Sequence, residues 1–309
     1  MNTKSLGAIL VTISAIFVSA ESVTVKLCYS ANWNYFSLMT FRFLFGFMIM
    51  SSLALFMKKR LLLTKENLKF GTILALLHVS ISSLLYIAFD LLPAATAILF
   101  FYCYPVFTAI VAYFLEKERL SFVTLISLVL VIGGVVVFSG SVWGDINVLG
   151  VTVALICAVL NSIFFVLLAR FLRKGADPIT FTNYTFMTGF VIFSVISLSS
   201  GNLVLPSQAI SWAYMLFLAL APTCVAILLF NMGVKRTGAT LGAIIYGLEV
   251  PVSALYAFLI FGDTWQPLQI LGAVMIISAV LLPNIWQNQI DRINFKLLST
   301  KKDNDSTGD

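Results

Sequence analysis

Apolar stretches of about twenty residues follow one another along this chain with almost nothing polar between them. They run over 6–28, 35–57, 69–90, 93–114, 121–140, 148–171, 178–200, 208–232, 238–261 and 267–286. A helix of about 20 residues crosses the ~30 Å hydrocarbon layer of a bilayer. Backbone in lipid must satisfy its own hydrogen bonds, so each stretch is read as a helix. Of the 309 residues, 60% are hydrophobic and 10% charged, where a soluble domain has about a quarter charged. The expected fold is an all-α integral membrane protein of ten transmembrane helices, with the lipid bilayer as its first partner. The seventh stretch has the weakest start, because Thr180, Thr182, Asn183, Tyr184 and Thr185 are polar.

Charge tests the helix count. With the N-terminus in the cytoplasm, the inside segments hold Lys4; Lys58, Lys59, Arg60, Lys65 and Lys69; Lys117 and Arg119; Arg170, Arg173 and Lys174; Lys235 and Arg236; and Arg292, Lys296, Lys301 and Lys302. These are 17 of the 19 basic residues. The outside connections hold none, and the other two, Lys26 and Arg42, lie inside predicted helices. Basic residues are retained on the cytoplasmic side. A multi-pass protein of a plasma membrane, the bacterial inner membrane, with both termini cytoplasmic is therefore expected. The net charge of +6 belongs to this topology and not to nucleic-acid binding. Residues 1–20 have the look of a signal peptide, with Lys4, an apolar run and Val18-Ser19-Ala20 before Glu21. The internal repeat, however, uses this segment as its first helix. Cys28, Cys103, Cys157 and Cys224 form no CxxC pair, which argues against a zinc or redox motif, and they read as small buried residues.

The chain repeats itself. At an offset of 143, Gly7 meets Gly150, Ser19 meets Ser162 and Gly46 meets Gly189. At 145–146, Ala94 meets Ala239, Ala97 meets Gly242, Pro105 meets Pro251 and Glu118 nearly meets Asp263. Five helices per half is an odd number, so the second half enters the membrane upside down. Equivalent loops should then differ in charge, and they do: Lys58-Lys59-Arg60 follows the second helix, while no charge follows the seventh. Inverted repeats mark secondary transporters, with the substrate site at the repeat interface. The expected units are two five-helix repeats, 5–140 and 148–287, around a central cavity, with a polar tail over 288–309.

Several motifs resemble one family. Lys26 late in the first helix is followed by Arg42 early in the second. Residues 93–121 read "PAATAILFFYCYPVFTAIVAYFLEKERLS", and the second half repeats the pattern at 238–266 as "GATLGAIIYGLEVPVSALYAFLIFGDTWQ". In order, spacing and duplication these resemble the ten-helix drug/metabolite transporters that carry two EamA domains, over residues 5–287. The resemblance implies a central cavity, alternating access, and traffic in amino acids, other metabolites or drugs, often outward. Two departures stand out. The helix-1 stretch is Ile16-Phe17-Val18-Ser19-Ala20-Glu21 where the family has a Trp-Gly-Ser-like run, and Asp263 replaces the usual Glu.

Ionisable groups inside membrane helices cost about 2.5–3.5 kcal/mol on insertion scales and so face a cavity or a partner. Glu249 lies ~17 Å along the ninth helix at about 1.5 Å per residue, near mid-depth and just before Pro251. It is either a pocket or coupling carboxylate, or the partner of Lys26, Arg42 or His78. His78, the sole histidine, suits a proton relay or a neutral ring bonded to a neighbour such as Ser80, Ser82 or Ser83. Arg42 either binds a substrate carboxylate through its two-pronged guanidinium or ties its helix to carbonyls or Glu21. Lys26 is either a family-like functional residue or a snorkelling side chain. Glu21 and Lys26 do not share a helix face. Tyr102, Tyr104 and Tyr246 flank the mid-helix prolines and either line the pocket or pack in the core. Asn161 and Ser162 are polar at mid-depth. Pro105, Pro251 and Pro222 mark breaks or hinges, and Gly238-xxx-Gly242 reads as close helix packing.

The leading expectation is a secondary transporter of small organic solutes, exporting by alternating access, with protons as a candidate coupling ion and no cofactor. An importer or facilitator of the same fold is the alternative. A membrane-embedded enzyme or a scaffold is disfavoured: there is no HExxH, GxSxG or Walker sequence, and one histidine rules out most metal and triad schemes. The charge count makes one expectation directly testable. A protease-cleavable tag placed after Asp309 should stay protected in intact cells, and cleavage from outside would show the helix count to be wrong.

Overall fold

The structure is a computed structural model and describes residues 3–92, 97, 100–117, 120–139, 147–262 and 266–283. Glu118, Asp263 and the 288–309 tail lie outside the described residues. The first span is α1 (Thr3–Val18) and α2 (Ala20–Ser30), parted at Ser19. Then come α3 (Tyr35–Phe56), α4 (Lys65–Leu91), α5 (Tyr104–Glu116), α6 (Phe122–Ser139), α7 (Val148–Arg173) and α8 (Pro178–Ser199). Next, α9 (Ala209–Leu218) passes through a π-helical turn, Ala219–Val225, into α10 (Ala226–Thr237). The chain continues as α11 (Ala239–Tyr246), α12 (Glu249–Phe261) and α13 (Pro267–Pro283). Among the described residues, eight helical stretches are long and apolar enough to cross a membrane, while α5 and α13 are shorter apolar helices.

Local chemistry sets the boundaries. The side chains of Asn34, Asn147 and Asp177 cap α3, α7 and α8 by accepting backbone N–H bonds. Pro178 follows Asp177 in the first turn of α8, where its missing N–H costs nothing. Gly262 closes α12 in the left-handed region, at φ 74°. The eighth predicted stretch proves longer than expected: α10 runs on to Thr237, so Lys235 and Arg236 lie in its last turn.

The polar start of the seventh stretch joins helices together. The Thr180 hydroxyl donates to the Arg60 carbonyl (2.9 Å) and the Asn183 amide to the Leu61 carbonyl (3.0 Å). Asn231 donates to Thr182 (2.8 Å), and Thr72 pairs with Tyr184 (2.8 Å). In lipid, where apolar contact gives helices little reason to associate, such bonds and close contacts of small residues hold the bundle together.

The most extensive helix pairs are α1 with α10, α3 with α8 and α4 with α7. Their contacts are reciprocal between residues related by the repeat offsets. A methyl added at Gly46 would meet the Phe186 ring at 3.0 Å, and one at Gly189 would meet the Phe43 ring at 2.6 Å. Gly7 packs on Arg236 and Thr237, as Gly150 packs on Leu91 and Leu92. The Ser14 hydroxyl donates to the Ala226 carbonyl (2.7 Å), and the Cys157 thiol donates to the Ile81 carbonyl (3.4 Å).

The breaks follow the same rule. In the first half, residues 102 and 103 form a turn before Tyr104 and Pro105. In the second, Gly247 and Leu248 separate α11 from α12, which carries Pro251 in its first turn. Proline lacks the N–H that a continuing helix needs and its ring crowds the carbonyl four residues back. The Ser162 hydroxyl donates to the Tyr104 carbonyl (2.9 Å), and the Ser19 hydroxyl to the Glu249 carbonyl (3.3 Å). Each half thus braces the broken helix of the other.

The closer approach at Gly189 sets an order of sensitivity. Gly189→Ala should destabilise the protein by about 1–3 kcal/mol through overpacking, and Gly46→Ala by less. Thermal unfolding in detergent would test this, and a Gly46 variant that melts below the Gly189 variant would contradict the packing.

Candidate functional site

A cavity of about 160 Å³ lies among the broken helices. Residues singled out in the sequence line it: Glu21, Arg42, His78, Tyr104, Asn161, Tyr246 and Glu249. Phe101, Phe164, Phe165, Phe230 and Asn231 complete much of its wall. Glu21 and Glu249 each sit in the first turn of a half-helix that follows a break. There the positive end of the helix dipole favours a carboxylate, which explains how two acids are accommodated away from water.

The two acids have different surroundings. The Arg42 guanidinium grips Glu21 with both terminal nitrogens, at 2.5 and 2.8 Å. Its Nε donates to the Thr223 hydroxyl (2.9 Å), which donates in turn to the Leu218 carbonyl (2.8 Å). Thr223 lies in the π-helical turn beside Pro222. The wider ladder there carries the helix past the missing proline N–H, and it presents a hydroxyl to the arginine. Of the alternatives for Arg42, the structure has the tie to Glu21.

Glu249 faces the cavity, and no Lys, Arg or His among the described residues lies within salt-bridge distance of its carboxylate. The pairing of Glu249 with Lys26, Arg42 or His78, entertained from the sequence, does not occur. Its electrostatic neighbours are Tyr102, Tyr104, Tyr246 and the Glu21 carboxylate. The Tyr102 hydroxyl is buried and makes no hydrogen bond of normal geometry. It interacts with Glu249 from the turn that precedes Tyr104.

His78 stacks at a tilt on Phe164, with ring centroids 5.3 Å apart. The nearby serines do not hold its ring, since Ser82 donates to the His78 backbone carbonyl (3.1 Å) and Ser83 to that of Val79 (3.0 Å). Asn161 is buried and lines the cavity. Lys26 stands apart from the cavity. It is exposed, and its ammonium lies 4.1 Å from the centroid of the Phe261 ring, an arrangement that favours a cation through the ring quadrupole. Among the described residues no group of three or more His, Cys, Asp or Glu is placed to hold a metal ion.

Sequence reasoning did not single out Thr223 or the phenylalanines of the wall. Aromatic residues in an apolar helix carry no mark that separates wall from core. Thr223 had only its position beside Pro222 as a signal.

The buried ion pair gives a stability expectation. Arg42→Met strands Glu21 and should cost about 3–5 kcal/mol, whereas the double change Glu21→Gln with Arg42→Met should recover most of it. Melting temperatures of the purified variants report this, and a double variant no better than the single one would argue against the pair.

Comparison with known proteins agrees with this architecture. The family model of the EamA-like transporters matches residues 5–140 and 148–285. The chain is 25% identical over 287 residues to an uncharacterized transporter of Clostridium kluyveri, covering 89% of this chain and 92% of that one. It is 26% identical over 195 residues to the uncharacterized transporter YetK of Bacillus subtilis, covering 60% of this chain and 58% of YetK. A solved crystal structure superposes with a TM-score of 0.79 at 18% identity, over 93% of this chain and 99% of that one. Two matched segments that together span most of the sequence, on a bundle of apolar helices, make this chain a member of the EamA-like transporter family.

Proposed function

We propose that the protein is a secondary active transporter that exports a small organic solute by alternating access, with Glu249 as the coupling carboxylate. In this reading ten helices form two inverted five-helix repeats, 5–140 and 148–287. Both termini and the 288–309 tail face the cytoplasm of a bacterial inner membrane. The reciprocal packing of the halves supports the repeat.

The observation that carries the reading is the contrast between the two acids. Glu21 is already neutralised by Arg42, so it has no call on a solute or a proton. Glu249 opens to the same cavity without a cationic partner among the described residues. A carboxylate in that position binds either a proton or a positively charged group, and exclusion between the two is enough to couple their movements. Breaks at Ser19, Gly247-Leu248 and Pro222 supply the joints at which half-helices tilt.

The test is solute efflux from proteoliposomes preloaded with a mixed panel of amino acids, nucleosides, vitamins and methylated metabolites, with an imposed proton gradient. A solute released by the wild type should stay at the protein-free background with Glu249→Gln, while that variant elutes as a folded monodisperse species. Wild-type efflux from Glu249→Gln would remove the carboxylate from the mechanism.

A further inference from the structure

A second groove, of about 440 Å³, opens toward the lipid between the first span, α9 with its π-helical turn, and α12. Ile16, Ala20, Val23 and Leu27 line it from one face of the first span, and that face carries past Ser19, whose dihedrals stay helical. The rise from Ile16 to Leu27 is ~16 Å at about 1.5 Å per residue, the depth of one leaflet in a hydrocarbon layer of ~30 Å. Spread over that length, about 440 Å³ makes a groove roughly 6 Å across, which admits a hydrocarbon chain and excludes a helix of about 10 Å. Phe217 and Ile260 on its edges are 50% and 54% exposed. The Thr24 hydroxyl donates to the Ala20 carbonyl (2.7 Å) and the Tyr256 hydroxyl to the Ile16 carbonyl (3.3 Å). Both lining hydroxyls are thus satisfied by backbone, which leaves the groove to apolar contact.

One end of the groove carries a cation. Leu27 and Ile260 line it near the ends of α2 and α12, and their neighbours in the chain, Lys26 and Phe261, meet there, with the ammonium 4.1 Å from the ring centroid. Lys26 is exposed, and among the described residues no carboxylate lies within salt-bridge distance of it. A long amphipathic side chain near the end of a membrane helix lays its stem on apolar surface and carries its charged head to the level of the lipid phosphates. An apolar slot one leaflet deep, with a cation at its membrane-surface end, matches a phospholipid of net negative charge. A zwitterionic lipid brings a cation of its own, which offsets the attraction of its phosphate. The groove also backs the cavity wall. Ala20 lines the groove and Glu21 the cavity, while Ala221 lines the groove and Thr223 receives the Arg42 Nε–H.

We propose that this groove binds an anionic phospholipid, with one acyl chain between the first span, α9 and α12 and the phosphate on the Lys26 ammonium. The site is separate from the central cavity and from any solute it carries, so its test needs no transport.

The experiment is photo-crosslinking of the full chain in phosphatidylcholine nanodiscs. The two probes are phosphatidylglycerol and phosphatidylcholine carrying the same diazirine-bearing acyl chain. Peptide mapping by mass spectrometry should place label from both on residues 16–27, 214–221 and 256–260. At equal probe content, phosphatidylglycerol should label these segments about five-fold more than phosphatidylcholine, the gain expected from one lysine at a lipid surface. Lys26→Gln should bring phosphatidylglycerol down to the level of phosphatidylcholine there, while labelling elsewhere keeps its ratio, and Lys26→Arg should keep the preference. Ala20→Trp, which fills the groove, should lower both probes on these segments and provides a second reading if Lys26→Gln fails to fold. Equal labelling by the two probes in the wild type overturns the inference, as does a preference that survives Lys26→Gln or labelling unchanged by Ala20→Trp. So does the absence of label from all three segments, including the case where the mass of the particle shows a second copy of the chain seated there.

Discussion

A helix that breaks inside a membrane exposes polar backbone with no water to receive it, so something in the protein must take its place. Here the turns themselves take up much of it, in bonds such as Leu248 N–H to the Ile245 carbonyl and Val106 N–H to the Cys103 carbonyl, and two serines at equivalent positions add contacts to the helices that restart. Ser162 reaches from α7 to the Tyr104 carbonyl, and Ser19 reaches from the first span to the Glu249 carbonyl. Each hydroxyl shares its one proton with the carbonyl four residues earlier in its own helix, which lies nearer, at 2.7 Å for Ala158 and 2.5 Å for Ala15. The broken helices are therefore held across the boundary between the halves. The cavity lies beside these breaks, with Glu21, Tyr104, Tyr246 and Glu249 on its wall.

The same breaks explain how charge enters the bundle. Two half-helices begin inside it, and each starts with an acid at its first turn. One acid is clamped by an arginine that also anchors the π-helical turn. The other is left facing the cavity among tyrosines. A buried ion pair is weak evidence of stabilisation, because desolvation offsets the attraction. Its value here is geometric. It ties α2, α3 and the Pro222 turn to one point on the cavity wall and leaves the remaining acid as the group that sets the cavity's charge.

Much of this could be read from the chain. Long apolar runs and the distribution of basic residues indicated membrane helices, and paired positions such as Gly46 and Gly189 carried the repeat because a glycine is needed where a ring from the other half presses on the backbone. Pro105, Pro222 and Pro251 announced their breaks through a missing N–H. The break at Ser19 gave no such sign. Its neighbours are ordinary helix formers, and Ser19 itself keeps helical dihedrals, at φ −57° and ψ −24°. For Lys26 the family pattern and the place near the helix end pointed two ways; which face a residue takes depends on the rotation of the helix, and here the ammonium lies over the Phe261 ring and not among the residues that line the cavity. The serines near His78 looked like its partners by spacing, but short hydroxyls in a helix return most readily to their own backbone.

The two serine braces are equivalent in sequence but unequal in length, 2.9 Å on one side and 3.3 Å on the other. Both contacts join the same kinds of group, and each ties a serine of one half to the helix that restarts in the other. A change at either serine is therefore felt first in the half that does not contain it.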